Sequence, residues 1–517
     1  MPSSLSTEEQ MGLVSTANTE HLRTDHLVQN LGKRAISGGF VTVAAQGVKF
    51  VLNLASAAVL ARLLTPKEFG LVGMVLAVTG LLGLFKEAGL STATVQRETI
   101  TQEQVSNLFW INVALGGVVC LISIGMAPLV ASFYHDSRLT GIMIFLSVTF
   151  LLTSSTVQHL ALLARQMRFR AIAIIDVVSM VVSIVAGCCL ALFGFAYWSL
   201  VGMQLCVAAT GLVLTWWTSG WHPTMPKRHS GVAPLLSFGV HLTASDLVGR
   251  LAASSDGILI GRFFGAEPLG LYSRANVLAA RPLEQLLGPL SAVLVPVLSR
   301  LQSDPERYRR TFIRAYDTLA LITFPFAALC LVLAEPLVLL LLGPQWKGAV
   351  PLLAGFSLVA VSLPLSIAPS WLFMSQGRGR DLLHTYSVAG AVTVGAYLVG
   401  LPWGPLGIVL ALAATSLVIR LPILYHLAGR RGPVRSADLW TGFLSHLPCW
   451  AAAYGAATLA RTMVSHAAPL VQLLVCVPFG MAAGVGAAFA LRRPRTSALY
   501  AWNTVRSSLA RQWSGAA

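Results

Sequence analysis

The chain has 517 residues, 55% of them apolar and 11% charged, with a mean hydropathy of +0.72, whereas a soluble domain carries about 25% charge. This balance excludes a soluble globular module and describes an integral membrane protein. The net charge of +16 suits a nucleic-acid partner only when it forms a basic face on a soluble module, and its distribution along this chain excludes that reading.

Residues 1–35 are polar, rich in Ser, Thr, Glu and Asn, and lack apolar periodicity, which predicts a cytoplasmic tail. Beyond them come apolar runs near 36–60, 69–89, 106–131, 141–163, 171–193, 197–218, 236–261, 269–298, 313–342, 350–374, 384–401, 405–428, 439–460 and 470–491. Each run is long enough for a helix to cross a hydrocarbon core of about 30 Å, and too long for a barrel strand. The expectation is an all-α integral membrane protein of about 14 transmembrane helices. The runs 236–261 and 269–298 stand apart because they contain charges.

The segment Ala61-Arg-Leu-Leu-Thr-Pro-Lys-Glu-Phe-Gly-Leu71 returns as Gly261-Arg-Phe-Phe-Gly-Ala-Glu-Pro-Leu-Gly-Leu271, so that Arg62 matches Arg262 and Gly70 matches Gly270. An even number of spans separates the copies, which predicts two six-helix lobes related by a pseudo-twofold axis along the membrane normal. The boundaries follow: an N-lobe at 36–218, a linker at 219–235 rich in Pro and Gly, a C-lobe at 236–428, two additional helices at 429–491 and a basic cytoplasmic tail at 492–517. With both termini cytoplasmic, most of the 36 Lys and Arg fall on the cytoplasmic side, as the positive-inside bias requires. The exceptions inside spans are Lys49, Arg250, Arg274, Arg281 and Arg420.

A charge at mid-bilayer is costly unless it is paired or faces water, so these cations are the functional pointers. Gln46, Lys49, Asn53 and Ser56 recur on one helical face, which predicts a polar cavity lining. Asp246 and Arg250 stand four apart and form a similar stripe with Ser254. Arg274 and Arg281 share a face with Glu284 and Gly288, and Pro282 removes a backbone donor beside Arg281. Lys49, Arg250, Arg274 and Arg281 therefore form a candidate anion site, because guanidinium forks and an ammonium match phosphate oxygens. The alternative is that Arg250 only pairs with Asp246 and Arg281 with Glu284. Asp176, Asp256 and Asp317 are candidates for a coupling-ion or proton site; Asp317 also stands within reach of Arg314, and Asp176 shares a face with Ser179 and Ser183. His159 and His241 read as packing residues, and the Trp set Trp110, Trp198, Trp216, Trp217, Trp403 and Trp440 as interfacial anchors. Arg420 is expected to snorkel toward the cytoplasmic surface.

No P-loop, HExxH, GxSxG or CxxC occurs, and the seven cysteines lie in apolar runs without ligand spacing. The expectation is no catalytic residue, no metal and no cofactor.

Leu60-Ala-Arg-Leu-Leu-Thr-Pro-Lys-Glu-Phe-Gly-Leu71, Asp256-Gly-Ile-Leu-Ile-Gly-Arg262 continuing to Gly270-Leu-Tyr-Ser-Arg274, and Val295-Pro-Val-Leu-Ser-Arg-Leu-Gln302 resemble the polysaccharide-transport branch of the multidrug/oligosaccharidyl-lipid/polysaccharide flippase superfamily, in its Wzx-type, colanic-acid-exporter-like form. The resemblance covers most of 36–430. It implies a bacterial inner-membrane flippase that moves undecaprenyl-pyrophosphate-linked oligosaccharide units to the periplasmic leaflet by alternating access, for exopolysaccharide, capsule or lipopolysaccharide O-antigen synthesis. The implied partners are the lipid-linked oligosaccharide, membrane lipids, a polysaccharide polymerase and glycosyltransferases. In related lipid II flippases an arginine-lined cavity receives the pyrophosphate; Lys49, Arg250 and Arg274 correspond to it by location, not by motif. The rivals are a multidrug exporter of the same superfamily, which would need acidic cavity residues, and a membrane polysaccharide polymerase or ligase, which would need a large periplasmic loop.

Overall fold

The computed structural model describes residues 31–86, 91, 94–95, 100–227, 251–252, 254–491, 493–496 and 499. These form helices and connections, with no strand among the described residues. The chain divides into two compact units, Met1–Ser254 and Ser255–Ala517. Eleven helices of the described residues are long and apolar enough to cross a membrane, and the protein is a multi-pass helical membrane protein.

The first unit contains α1 (Leu31–Leu63), α2 (Pro66–Leu82), α3 (Gln102–Tyr134), α4 (Arg138–Ser154), α5 (Val157–Arg165), α6 (Phe169–Leu192) and α7 (Trp198–Ser219). A reciprocal box starts α3: the Thr101 hydroxyl accepts from the Gln104 backbone N–H, and the Gln104 side chain accepts from the Thr101 N–H. His135, in the left-handed region at φ 57°, ends it. Asp136 then takes the Arg138 backbone N–H and the Arg138 guanidinium, closing a tight hairpin into α4.

The expected span 141–163 is broken at Ser155 and Thr156 without a proline. The Thr153, Ser155 and Thr156 hydroxyls donate to carbonyls three or four residues back, competing with the helical ladder. Trp216 Nε1 donates to the Ser155 carbonyl at 3.0 Å.

The start of the expected linker is docked on α3. Trp221 is buried and donates to Gln102 at 2.7 Å, Asn107 pairs with the backbone of Lys227 in both directions, and Lys227 Nζ reaches Glu103 at 2.6 Å. Residues 228–235 of that linker lie outside the described residues.

The repeated motif is a helix–turn–helix joint in both copies. In the first, α1 ends at Leu63 and α2 begins at Pro66. In the second, a helical stretch at 254–264 yields at Gly265, φ 88°, to α8 (Ala266–Arg300). Gly70 and Gly270 thus fall at the same place in their second helices.

The second unit continues with α9 (Pro305–Val332), α10 (Ala334–Leu341), α11 (Val350–Ser375), α12 (Gly379–Gly400), α13 (Gly404–Thr415), α14 (Leu421–Gly429), α15 (Ser436–Met463) and α16 (Pro469–Ala490). Helix α8 runs on through Pro282, Pro289 and Pro296, spaced seven apart on one side. The expected spans 384–401 and 405–428 meet at the tight turn Leu401–Trp403 and form two legs of one helical stretch, 379–429; a π turn at Ser416–Arg420 joins α13 to α14 within the second leg. Arg420 sits half-buried beside Tyr386 and Tyr397. Helix α15 is not among the eleven apolar helices; His446, Pro448, Trp450 and Tyr454 dilute its apolar stretch.

The core of this unit is aromatic: Tyr308, Phe312, Tyr316 and Phe324 of α9 meet Trp371 and Phe373 of α11 and Tyr425 of α14. The C-terminal pair α15–α16 belongs to it. Gly480 and Gly484 let α16 approach: a Cβ at Gly480 would stand 2.7 Å from Leu329 Cδ2, and one at Gly484 3.1 Å from Pro325 Cγ. Arginines fasten the pair to α9 at both ends. Arg309 grips Asp438, Arg493 grips Asp317 at 2.9 and 3.1 Å, and Arg461 reaches Glu335 at 2.8 Å and the Val332 carbonyl at 2.7 Å.

Candidate substrate site

Helix α1 packs chiefly on α6. Its polar stripe turns toward that neighbour: Lys49 Nζ donates to Asp176 Oδ2 at 2.7 Å, and Asn53 Nδ2 donates to its own helix at Lys49 O and to Met180 Sδ. The same separation of 127 residues joins Lys49 to Asp176 and Asn53 to Met180, as two helices running parallel require. Gln46 is half-buried, Asn53 exposed and Ser56 buried. Lys49 keeps 27% and Asp176 41% of the side chain exposed. An ammonium has three donors, so one bond to Asp176 leaves Lys49 able to take a second anion.

From the sequence the two residues have separate roles, a ligand-facing cation and a coupling carboxylate. The structure brings them together as one pair. Periodicity along a single helix cannot report this, because the partner comes from a helix far away in the chain.

In the second unit, Arg281 and Glu284 pair at 3.2 Å on an exposed stripe of α8, which also carries Gly288. Arg274 lies about two turns nearer the start of the helix and is half-buried. Asp256 accepts from Tyr272 Oη at 2.8 Å and from the Gly257 N–H at 2.6 Å. Asp317 is 2% exposed and held by both Nε and Nη2 of Arg493, a partner 176 positions further along the chain and not the nearby Arg314. Asp246, Arg250 and His241 lie outside the described residues.

His159 is enclosed by Phe109, Trp216 and Trp221, stacking on Trp216 at 4.5 Å. Trp216 thus packs inside the first unit, whereas Trp217 and Trp403 are widely exposed, as anchors would be. Outside the spans, the Asp136 carboxyl is held below its usual range, chiefly by the hydrogen bond from Arg138. Among the described residues no cluster of His, Cys, Asp and Glu could hold a metal ion.

The family described as "Polysaccharide biosynthesis protein" matches residues 59–351, from the end of α1 through the turn before α11. The chain belongs to this family. It is 27% identical over 381 residues to the teichuronic acid biosynthesis protein TuaB of Bacillus subtilis, covering 71% of this chain and 79% of that protein. It is 24% identical over 436 residues to the lipopolysaccharide biosynthesis protein WzxC of Escherichia coli, covering 82% and 88%. The succinoglycan biosynthesis transport protein ExoT of Rhizobium meliloti is 28% identical over 355 residues, covering 68% and 71%. Among solved structures, the lipid II flippase MurJ in an inward closed conformation superposes with a TM-score of 0.67 at 13% identity, covering 86% of this chain and 97% of that one. An inward-facing multidrug resistance MATE transporter gives 0.57 at 14% identity, covering 78% and 99%. The fold of this polysaccharide biosynthesis protein is therefore the one these transporters share.

Proposed function

We propose that this protein is a flippase that carries lipid-linked oligosaccharide, its lipid a polyprenyl pyrophosphate such as undecaprenyl pyrophosphate, from the cytoplasmic to the periplasmic leaflet of the bacterial inner membrane. Membership of the polysaccharide biosynthesis family and the names of TuaB, WzxC and ExoT support the substrate class. The observation that carries the site is the half-exposed Lys49–Asp176 pair within the spans.

Asp176 holds Lys49 in place through the 2.7 Å bond, and a coupling ion that engages this carboxylate would release the ammonium to the pyrophosphate. Asp176 is thus the coupling residue in this reading, and Lys49, Arg250, Arg274 and Arg281 are the anion-binding set. Both termini face the cytoplasm, and alternating access of the two lobes moves the site between leaflets. Drug export is disfavoured because the one carboxylate shown beside the stripe of α1 is already neutralised by Lys49.

The test is export of polysaccharide by single variants in a strain lacking the gene. Lys49→Ala and Arg250→Ala are each expected to abolish export while the protein remains inserted and folded. Full complementation by both would remove the pyrophosphate site.

A further inference from the structure

At one end of the second unit the α11–α12 turn meets the end of α14. Arg378 forms the floor: its guanidinium stacks over Phe373 at 4.9 Å and donates to Asp381 at 2.8 Å. It also donates to the carbonyls of Leu427, Ala428 and Arg431, the last at 3.0 Å. These are the carbonyls that the end of a helix leaves without ladder partners. Gly432, at φ 98°, completes the joint, since a Cβ there would stand 2.7 Å from the Gln376 side chain. The two turns are therefore locked together before any ligand arrives.

Above this floor opens a cleft of about 110 Å³ lined by Asp381, His384, Thr385, Arg430 and Arg431 as well as Arg378. Arg378 is spent on the carbonyls and on Asp381. Arg431 is 77% exposed and approaches the same carboxylate only at 3.7 Å, and Arg430 is exposed. One carboxylate thus stands against three guanidiniums, and the two outer ones retain donors that face the opening. The place of the cleft, at the end of the membrane-length helical stretch Gly379–Gly429, identifies what brings the anion. Leu383, next to His384, is 48% exposed, and Val418 and Ile419, on the turn leading into α14, are 73% and 43% exposed. In a membrane protein such a surface meets acyl chains, while arginines at its edge meet headgroups.

We propose that this cleft binds the phosphate headgroup of an anionic membrane lipid, with Arg430 and Arg431 on the phosphate oxygens and the acyl chains along Leu383, Val418 and Ile419. Guanidiniums suit this role because two parallel N–H donors fit one phosphate. The site is separate from the Lys49 pair and does not depend on the transport reading.

The experiment uses the full chain in phosphatidylcholine nanodiscs and measures binding of phosphatidylglycerol. Arg430→Ala and Arg431→Ala are each expected to weaken it about five-fold, and the double variant roughly 25-fold, at unchanged melting temperature. The double variant Arg430→Lys/Arg431→Lys keeps the charge without the fork and is expected to bind more weakly than wild type and more tightly than the double alanine variant. Equal affinity in wild type and the double alanine variant overturns the proposal, and binding by the lysine variant as tight as by wild type overturns the role of the guanidinium fork. Displacement by glycerol phosphate as effective as by short-chain phosphatidylglycerol overturns the lipid assignment in favour of a free phosphate.

Discussion

Both units carry an ion pair with a carboxylate on a membrane helix, Asp176 on α6 and Asp317 on α9, and the two pairs are built for different ends. Lys49–Asp176 keeps 27% and 41% of its side chains exposed, while Arg493–Asp317 keeps 25% and 2%. Their helices differ in the same sense: 11% of the apolar window of α1 is buried, against 67% for α9. The closed pair has a second tie beside it, because Arg493 also donates to the Asp438 carbonyl and Arg309 grips the Asp438 carboxylate. Among the described residues the open pair has one bond, and both side chains stay partly exposed. A charge inside a span is thus not by itself a functional residue; what separates a strut from a site is whether a ligand can reach it.

The largest expected effect tests the closed pair. Arg493→Ala leaves Asp317 buried and uncompensated, which costs about 3–5 kcal/mol. It should appear as a large fall in melting temperature in detergent, with export reduced in step with the amount of folded protein. A fully stable Arg493→Ala would remove the distinction.

Lys49→Ala should do the reverse. A pair that faces the water of a cavity contributes about 0.2–1 kcal/mol, so in the transport reading melting should shift little while export is lost per folded molecule. The charge exchange Lys49→Asp/Asp176→Lys sharpens the point: it restores the pair but moves the cation to α6, and export is expected to stay absent if the ammonium must project from α1.

The smallest effect belongs to Arg138–Asp136, an ion pair of the α3–α4 turn outside the spans. The folded Asp136 pKa lies below the ordinary 3.8, so its contribution is present above that value and is lost as the pH falls through the lowered one. Arg138→Ala should lower the melting temperature slightly at neutral pH. The difference from wild type should disappear on acidification to well below 3.8; a difference that persists there would mean that Arg138 acts by packing alone.

Much of this was legible in one dimension. The apolar runs locate most of the helices, since burial of a backbone in hydrocarbon demands helix wherever about 20 apolar residues run together. The repeat around Arg62 and Arg262 marks a joint that recurs in both units, and the intramembrane cations stand out because their transfer is costly. The break at Ser155 was not legible as a break, because hydroxyls that compete for the ladder occur in unbroken helices too. The docked segment 220–227 carries the Pro and Gly of a linker, and only Gln102, Ser106 and Asn107 of α3, more than a hundred residues back, turn it into part of the first unit.

By itself the sequence determined the membrane class, the approximate spans and the list of charges that needed an explanation, because those depend on composition and local periodicity. Only the tertiary structure decided which charge answers which. It gave Lys49 to Asp176, Asp317 to Arg493 and Asp438 to Arg309, and spent Arg378 on the end of α14. Electrostatic partners are chosen by distance in space, and for Asp317 and Arg493 that distance spans 176 positions of chain.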